Sequence, residues 1–307
     1  MKESITGSPA CEIRPGTVCA VVVTFKRKAL LRELLTALPR QSRPPDCILV
    51  VDNRSSDGTV DMVRQEFPGV TLLALDVNSG GAGGFRSGME WAWRSGYEWL
   101  WIMDDDVEPY EEALDTLLSY GPVSDFIHLR RDDVNAWEGI WDPHTFTIQL
   151  YPREYSFENG KPYMVLNYAC FEGPLIHRRI IDSIGLPDAR FFVSGDDALY
   201  GFQASFHTNI LYVNRRGFKR KLPHPIVARM SAYLLIRNKF LIYEELHDRG
   251  LTLPRYLFWI YQFNLAFYLL RQLRNRKESR NMTAYRAVFQ GLRDGSRGIF
   301  GAPPWLR

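Results

Sequence analysis

Four apolar, β-branched runs, each ending in a polar cluster, constrain this chain more than any other feature of its sequence. Val18–Thr24, Cys47–Val51, Val70–Leu75 and Glu98–Met103 read as strands. Between them lie helical stretches: Lys28–Leu38, stopped at Pro39; Gly58–Phe67, closed by Pro68-Gly69; and Ala82–Arg94, ended by Gly96. A strand that is apolar along its length is covered on both faces. Strands alternating with helices predict a parallel sheet joined by right-handed crossovers. Such sheets bind ligands beyond the carboxyl ends of their strands. The polar clusters fall at those ends: Thr24-Phe25-Lys26-Arg27, Asp52 through Asp57, Asn78-Ser79-Gly80, and Asp104-Asp105-Asp106. Solubility alone does not explain four polar loops on one edge, and together they describe a site.

Beyond Pro109 the pattern changes. Tyr110–Ser119 reads as a helix, Asp125 to Pro152 as strand-like, and Phe191 to Val213 as strand, turn, helix, strand. After Pro225 three helices are expected: Arg229–Arg249, Arg255–Arg274 and Met282–Arg293. No internal repeat is visible. The 307 residues allow one large α/β domain with an appendage, and 46% apolar against 24% charged residues is enough for a real core. A net charge of +3 does not imply nucleic acid. Its distribution is uneven, acidic between Glu98 and Asp133 and basic after Arg215, which suits a metal in the middle and phosphates or an anionic surface at the end. Cys11, Cys19, Cys47 and Cys170 lack CxxC spacing and read as buried thiols of a reducing compartment. The first fifteen residues have no apolar signal core, and the longest apolar run, Tyr256 to Leu270, is interrupted by Gln262 and Asn264. It falls short of the roughly 20 residues a spanning helix needs. A cytoplasmic protein is expected.

The acidic run carries the clearest chemistry. In extended chain alternate side chains share a face, so Asp104 and Asp106 can point together while Asp105 points back. Crowded carboxylates repel, and a divalent cation relieves that cost. Oxygen ligands favour Mg2+ or Mn2+ over zinc. Asp52 lies on a strand end before any helix begins, where its carboxylate can accept a hydrogen bond from a uracil or thymine edge or a ribose hydroxyl; Asp57 can simply cap the next helix. Asn78-Ser79-Gly80-Gly81-Ala82-Gly83-Gly84 is a glycine-rich turn entering a helix, suited to phosphate or ribose oxygens, and is neither a dinucleotide fingerprint nor a Walker loop.

Taken in order, the strand ending Thr24-Phe25-Lys26-Arg27, then Val51-Asp52-Asn53 with Ser55 and Asp57, the glycine turn, and Met103-Asp104-Asp105-Asp106 resemble the family-2 glycosyltransferases of GT-A fold. The likeness runs from about Val18 to Leu241 and is strongest to the galactofuranosyltransferase-like and rhamnosyltransferase-like bacterial branch. It implies an α/β, Rossmann-like, mostly parallel sheet flanked by helices, divided as a tail (1–16), a catalytic region (17–225, with a nucleotide half 17–108 and an acceptor half 109–225) and a helical extension (226–307). It implies donor contacts from Thr24, Phe25, Arg27, Asp52, Asn53, Asp57, Asn78, Gly80, Gly81, Gly84, Asp104 and Asp105. The metal would sit on Asp104 and Asp106, with His224 as a further ligand whose flanking prolines depart from the commoner pattern. Asp197 corresponds to the general base and Asp196 to its neighbour. Adjacent carboxylates raise one another's pKa, which suits a base.

Trp137, Trp141, Tyr168 and Phe171 are expected to offer aromatic faces to an acceptor sugar, or else to be core; Glu172 lies in the loop where the resemblance puts acceptor binding. The aromatic helix between Pro254 and Arg274, bordered by arginines, suits a membrane interface, a second protomer or plain core packing. The reaction the resemblance implies is metal-dependent, inverting transfer of a sugar from a nucleotide diphosphate to a glycan hydroxyl. UDP-galactofuranose is favoured over dTDP-rhamnose as donor, with an acceptor that is lipid-linked and serves cell-surface polysaccharide synthesis. Competing readings are a nucleotidyltransferase, which normally shows a glycine-rich basic loop at the first strand, and an inactive sugar-binding scaffold.

Overall fold

The computed structural model describes residues 13–131, 139–150, 157, 160–222, 229–275 and 282–306. The first half follows the expected alternation: β1 (Arg14–Thr24), α1 (Lys28–Ala37), β2 (Cys47–Asp52), α2 (Thr59–Glu66), β3 (Thr71–Ala74), α3 (Gly80–Arg94) and β4 (Tyr97–Asp104). β1 pairs in parallel with both β2 and β4, and β2 in parallel with β3. After β4 come β5 (Val107–Pro109), α4 (Ala113–Ser119), β6 (Phe126–Arg131), the hairpin β7 (Gly139–Asp142) and β8 (Thr147–Leu150), β9 (Tyr163–Leu166), β10 (Leu175–His177), α5 (Arg178–Ile184), α6 (Asp196–Ala204) and β11 (Ile210–Arg220). The main sheet runs β3-β2-β1-β4-β10-β6-β11-β5, with β9 also on β11. β10 is antiparallel to both its neighbours, so the sheet is mixed past β4.

Alternation along β1 builds two core layers. Cys19, Val21 and Val23 face α3, packing with Ala82, Phe85, Met89 and Ala92. Val18, Ala20 and Val22 face the other way, onto Leu31, Leu34 and Leu35 of α1 and Met62 and Val63 of α2. Each fully buried side chain of this size contributes about 2 kcal/mol relative to exposure. Helix α3 comes unusually close to the sheet: a Cβ on Gly88 would lie 2.4 Å from a Val21 methyl, and one on Gly84 2.6 Å from Val23. These glycines set the depth of the helix.

Two local readings change. Phe191, expected to open a strand, closes a short 3-10 turn (Ala189–Phe191), and α3 starts at Gly80 rather than Ala82. Periodicity is silent over such short pieces. The last region forms α7 (Arg229–His247), α8 (Arg255–Asn275) and α9 (Met282–Ser296). α9 packs on α7 through glycines: a Cβ on Gly295 would meet the Phe240 ring at 2.4 Å. Among the described residues no helix is long and apolar enough to cross a membrane. Cys19, Cys47 and Cys170 are free thiols, the first and last buried; Cys11 lies outside the described residues.

Candidate functional site

The site lies where β1, β2 and β4 end. Asp52 is buried at the tip of β2; its Oδ2 accepts the Ser55 backbone N–H at 2.9 Å, while Oδ1 has no hydrogen-bond partner among the described residues. A buried carboxylate oxygen left open is costly unless something completes it. Asn53 beside it is occupied: its amide donates to the Gly80 carbonyl at 2.9 Å and its oxygen accepts from the Ser79 hydroxyl at 2.9 Å, tying β2 to the start of α3. Asp57 accepts from the backbone N–H of both Lys28 and Thr59, each at 3.2 Å, and so joins the starts of α1 and α2. That is the capping role the sequence left open. Asn78 Oδ1 accepts the Gly80 N–H at 2.9 Å.

The glycine turn serves packing first. Gly80, at φ +72°, would press a Cβ to within 2.0 Å of the Phe192 carbonyl, whereas Gly81 opens onto free space. Of the three glycines expected at the donor, only Gly81 has a Cα facing outward. Phe25 is exposed at the end of β1, with the Lys26 ammonium 5.1 Å from its ring centre.

At the end of β4 the chain turns immediately after Asp104, so strand alternation no longer governs Asp105 and Asp106. Both reach the same guanidinium: Arg27 Nη1 lies 3.0 Å from Asp105 and 3.2 Å from Asp106. Asp105 also accepts the Thr24 hydroxyl at 2.6 Å. Burial raises the Asp105 carboxyl, with Thr24 and Arg27 opposing it. Burial, reinforced by the charges of Asp106 and Asp105, holds Asp104 well above the usual carboxylate range. Asp106 Oδ1 is buried and has no hydrogen-bond partner among the described residues. An open carboxylate oxygen on Asp106 and an Asp104 disfavoured as an anion by burial and by its acidic neighbours are what a divalent cation would satisfy. Among the described residues no group of three or more His, Cys, Asp or Glu is placed to hold a metal, and His224 lies outside those residues.

The acidic turn connects to β6 and β11 through a chain of charges. Arg220, on β11, lies 3.7 Å from Asp106 and ion-pairs with Glu172, which also ion-pairs with Arg131 on β6. Glu172, expected to face an acceptor, is therefore engaged by two arginines. Tyr168 and Phe171, at 1% and 3% exposure, belong to the core, and Phe171 sits between the rings of Phe85 at 5.1 Å and Tyr200 at 5.8 Å. Both rings are core, the alternative the sequence left open. Trp137 lies outside the described residues.

Asp196 and Asp197 open α6. The preceding residues are bent out of ordinary backbone geometry, with positive φ at Phe192 (66°), Ser194 (75°) and Gly195 (95°). Asp196 is buried and Asp197 half-buried. Burial lifts Asp197 to about 6, against hydrogen bonds from the Ala198 and Phe171 backbones; burial and the charge of Asp197 hold Asp196 well above the usual carboxylate range. The Phe171 link places Asp197 one residue from Glu172 and its arginines.

Sequence reasoning missed what supports this bend. Arg237 and Asn238 of α7 are buried, and their side chains donate to the carbonyls of the strained loop. Asn238 Nδ2 reaches Val193 O at 2.9 Å and Ser194 O at 2.7 Å, and Arg237 reaches Phe191 O at 2.7 Å. The available signal was a run of three polar residues, Arg237-Asn238-Lys239, set between the apolar runs Leu234–Ile236 and Phe240–Ile242. Charged groups are rarely buried without a task.

The family model described as Glycosyl transferase family 2 matches residues 19–185. Galactofuranosyltransferase GlfT1 of Mycolicibacterium smegmatis is 33% identical over 192 residues, which cover 59% of this chain and 62% of that protein. GlfT1 of Mycobacterium tuberculosis is 33% identical over 195 residues with the same coverage. The chain thus matches less than two thirds of the length of these curated relatives. Among solved structures, S. aureus TarS 1-349 in complex with UDP-GlcNAc superposes with a TM-score of 0.56 at 16% identity, over 94% of this chain and 82% of that one. The mannosyltransferase PcManGT from Pyrobaculum calidifontis, in complex with GDP-Man and Mn2+, gives 0.53 at 16% identity, over 94% and 76%. These likenesses speak to the fold, a GT-A arrangement, as the ordered motifs implied.

Proposed function

The chain belongs to glycosyl transferase family 2, and we propose that it moves a sugar from a nucleotide diphosphate to a hydroxyl acceptor with inversion at the anomeric carbon. The observation that carries this reading is the linked set at the sheet edge: an open Asp52 oxygen, the Arg27-clamped acidic turn, and a half-buried Asp197 raised to about 6. Asp52 would accept a hydrogen bond from the base or ribose through Oδ1, and Gly81 leaves room for the donor beside the start of α3. Arg27, half-exposed and paired with Asp105 and Asp106, would reach the diphosphate by giving up those carboxylates. A divalent ion, Mn2+ or Mg2+, would be held by Asp104 and Asp106 and would supply positive charge to the departing diphosphate. Asp197 would take the proton from the attacking hydroxyl, since a carboxylate with a raised pKa is a better base near neutrality. Asp196, more deeply buried, would orient it.

UDP-galactofuranose is the favoured donor, supported by the 33% identity to proteins named galactofuranosyltransferase; dTDP-rhamnose is second. The acceptor is proposed to be a glycan, lipid-linked, in surface polysaccharide synthesis. The test is nucleoside diphosphate release from a panel of nucleotide sugars with Mn2+, using the unaltered chain and Asp197→Asn. Release fastest from UDP-galactofuranose, and transfer lost in Asp197→Asn at unchanged donor affinity, is the expected result. Release from none of the donors removes the transferase reading and leaves a sugar-binding scaffold, and transfer by Asp197→Asn moves the base elsewhere.

A further inference from the structure

Helix α8 is 21 residues long, about 30 Å at the α-helical rise. One side of it is core: Phe258, Ala266, Leu269 and Leu273 are buried. The opposite side is apolar too, and bare. Tyr256, Ile260, Phe263 and Phe267, spaced i, i+4, i+7 and i+11, form one line and are 67%, 53%, 60% and 69% exposed. A helix apolar all round is ordinarily covered all round. Single exposed apolar residues need no explanation, but a continuous aromatic line does.

Charge decides between the two covers such a line could have. The sequence of α8 contains no Asp or Glu, and exposed arginines, Arg255 and Arg271, stand near its ends. A second copy docking line to line in antiparallel would bring the Arg255 end of each helix to the Arg271 end of the other, cation toward cation, with no carboxylate on the helix to answer them. An anionic lipid surface offers the missing charge along its whole extent. Aromatic and aliphatic side chains can enter the acyl boundary while arginines reach up to the phosphates. Tyr256 and Tyr268, 67% and 55% exposed, carry hydroxyls suited to headgroup level.

We propose that α8 lies in the plane of an anionic membrane, with Ile260, Phe263 and Phe267 inserted and Arg255 and Arg271 on lipid phosphates. This surface is distinct from the sheet-edge site, and it stands whatever the donor is. The test is flotation of the full chain with vesicles of phosphatidylcholine alone and with vesicles carrying phosphatidylglycerol, at low and high salt, beside sedimentation velocity without lipid. The expected result is a monomer that floats with the phosphatidylglycerol vesicles at low salt. Phe263→Ser/Phe267→Ser lowers the bound fraction at least about tenfold, and Arg255→Gln/Arg271→Gln removes the preference for the anionic lipid. All four side chains are exposed, so far-UV circular dichroism should be unchanged. Failure to float with anionic vesicles, or equal binding to both vesicle types, overturns the proposal. So does a dimer that the serine variant dissolves, which would give this face to a second copy.

Discussion

Glu172→Gln separates a residue that touches the acceptor from one that holds the site together. The Glu172 side chain is 13% exposed, and the two arginines it pairs with, Arg131 and Arg220, are 3% and 9% exposed. The substitution keeps shape and removes charge. Breaking a buried pair from one side costs about 3–5 kcal/mol where the remaining charge is left without compensation. Both arginines keep other interactions, Arg220 with Asp106 at 3.7 Å, so the lower end applies, about 3 kcal/mol. At about 2–4 °C per kcal/mol for domains of a few hundred residues, Tm should fall by roughly 6–12 °C. Calorimetry near pH 7 reads the shift directly. A donor titration on the same sample should also weaken, since Arg220 borders the acidic turn. A Tm within about 2 °C of the unaltered chain, with only the acceptor KM raised, would refute the counter-ion role and return Glu172 to the acceptor surface.

Two further outcomes follow from the loop before α6. Asn238→Ala strips the donor from the Val193 and Ser194 carbonyls while the strained φ angles remain, so stability should drop by about 2 kcal/mol; kcat should fall about tenfold or more as Asp197 loses its placement, whereas an unchanged kcat would show that the loop holds itself. Because burial raises Asp197 to about 6, and the base must be ionised, kcat at saturating donor should fall as pH drops through that value, by about tenfold per unit below it; a profile flat to pH 5 would count against Asp197 as the base.

Much of the region through β4 was legible in the sequence. Apolar runs ending in Thr24, Asp52 and Asp104 carry their own instructions, since a strand buried on both faces shows as a continuous run and its polar terminus marks the sheet edge. The acidic triplet and the Asp196-Asp197 pair were likewise visible as carboxylates crowded where no core needs them. Residue type alone did not say which atom each would meet. Whether Asp57 caps helices, whether the glycines admit a ligand or seat α3 on Val21 and Val23, and whether Tyr168 and Phe171 face sugar or core are questions of distance between segments far apart in the chain.

The local pattern of apolar and polar residues therefore determined the strands, the helices and the edge where the chemistry collects. Tertiary structure alone decided the partners: Arg27 across Asp105 and Asp106, Glu172 between two arginines, Asn238 on a strained loop, and an aromatic line left bare on α8. The reason is that periodicity encodes which face of an element is buried, while hydrogen bonds and ion pairs depend on the docking of elements whose separation along the sequence reaches 193 residues between Arg27 and Arg220 (220 − 27), the two guanidiniums that share Asp106.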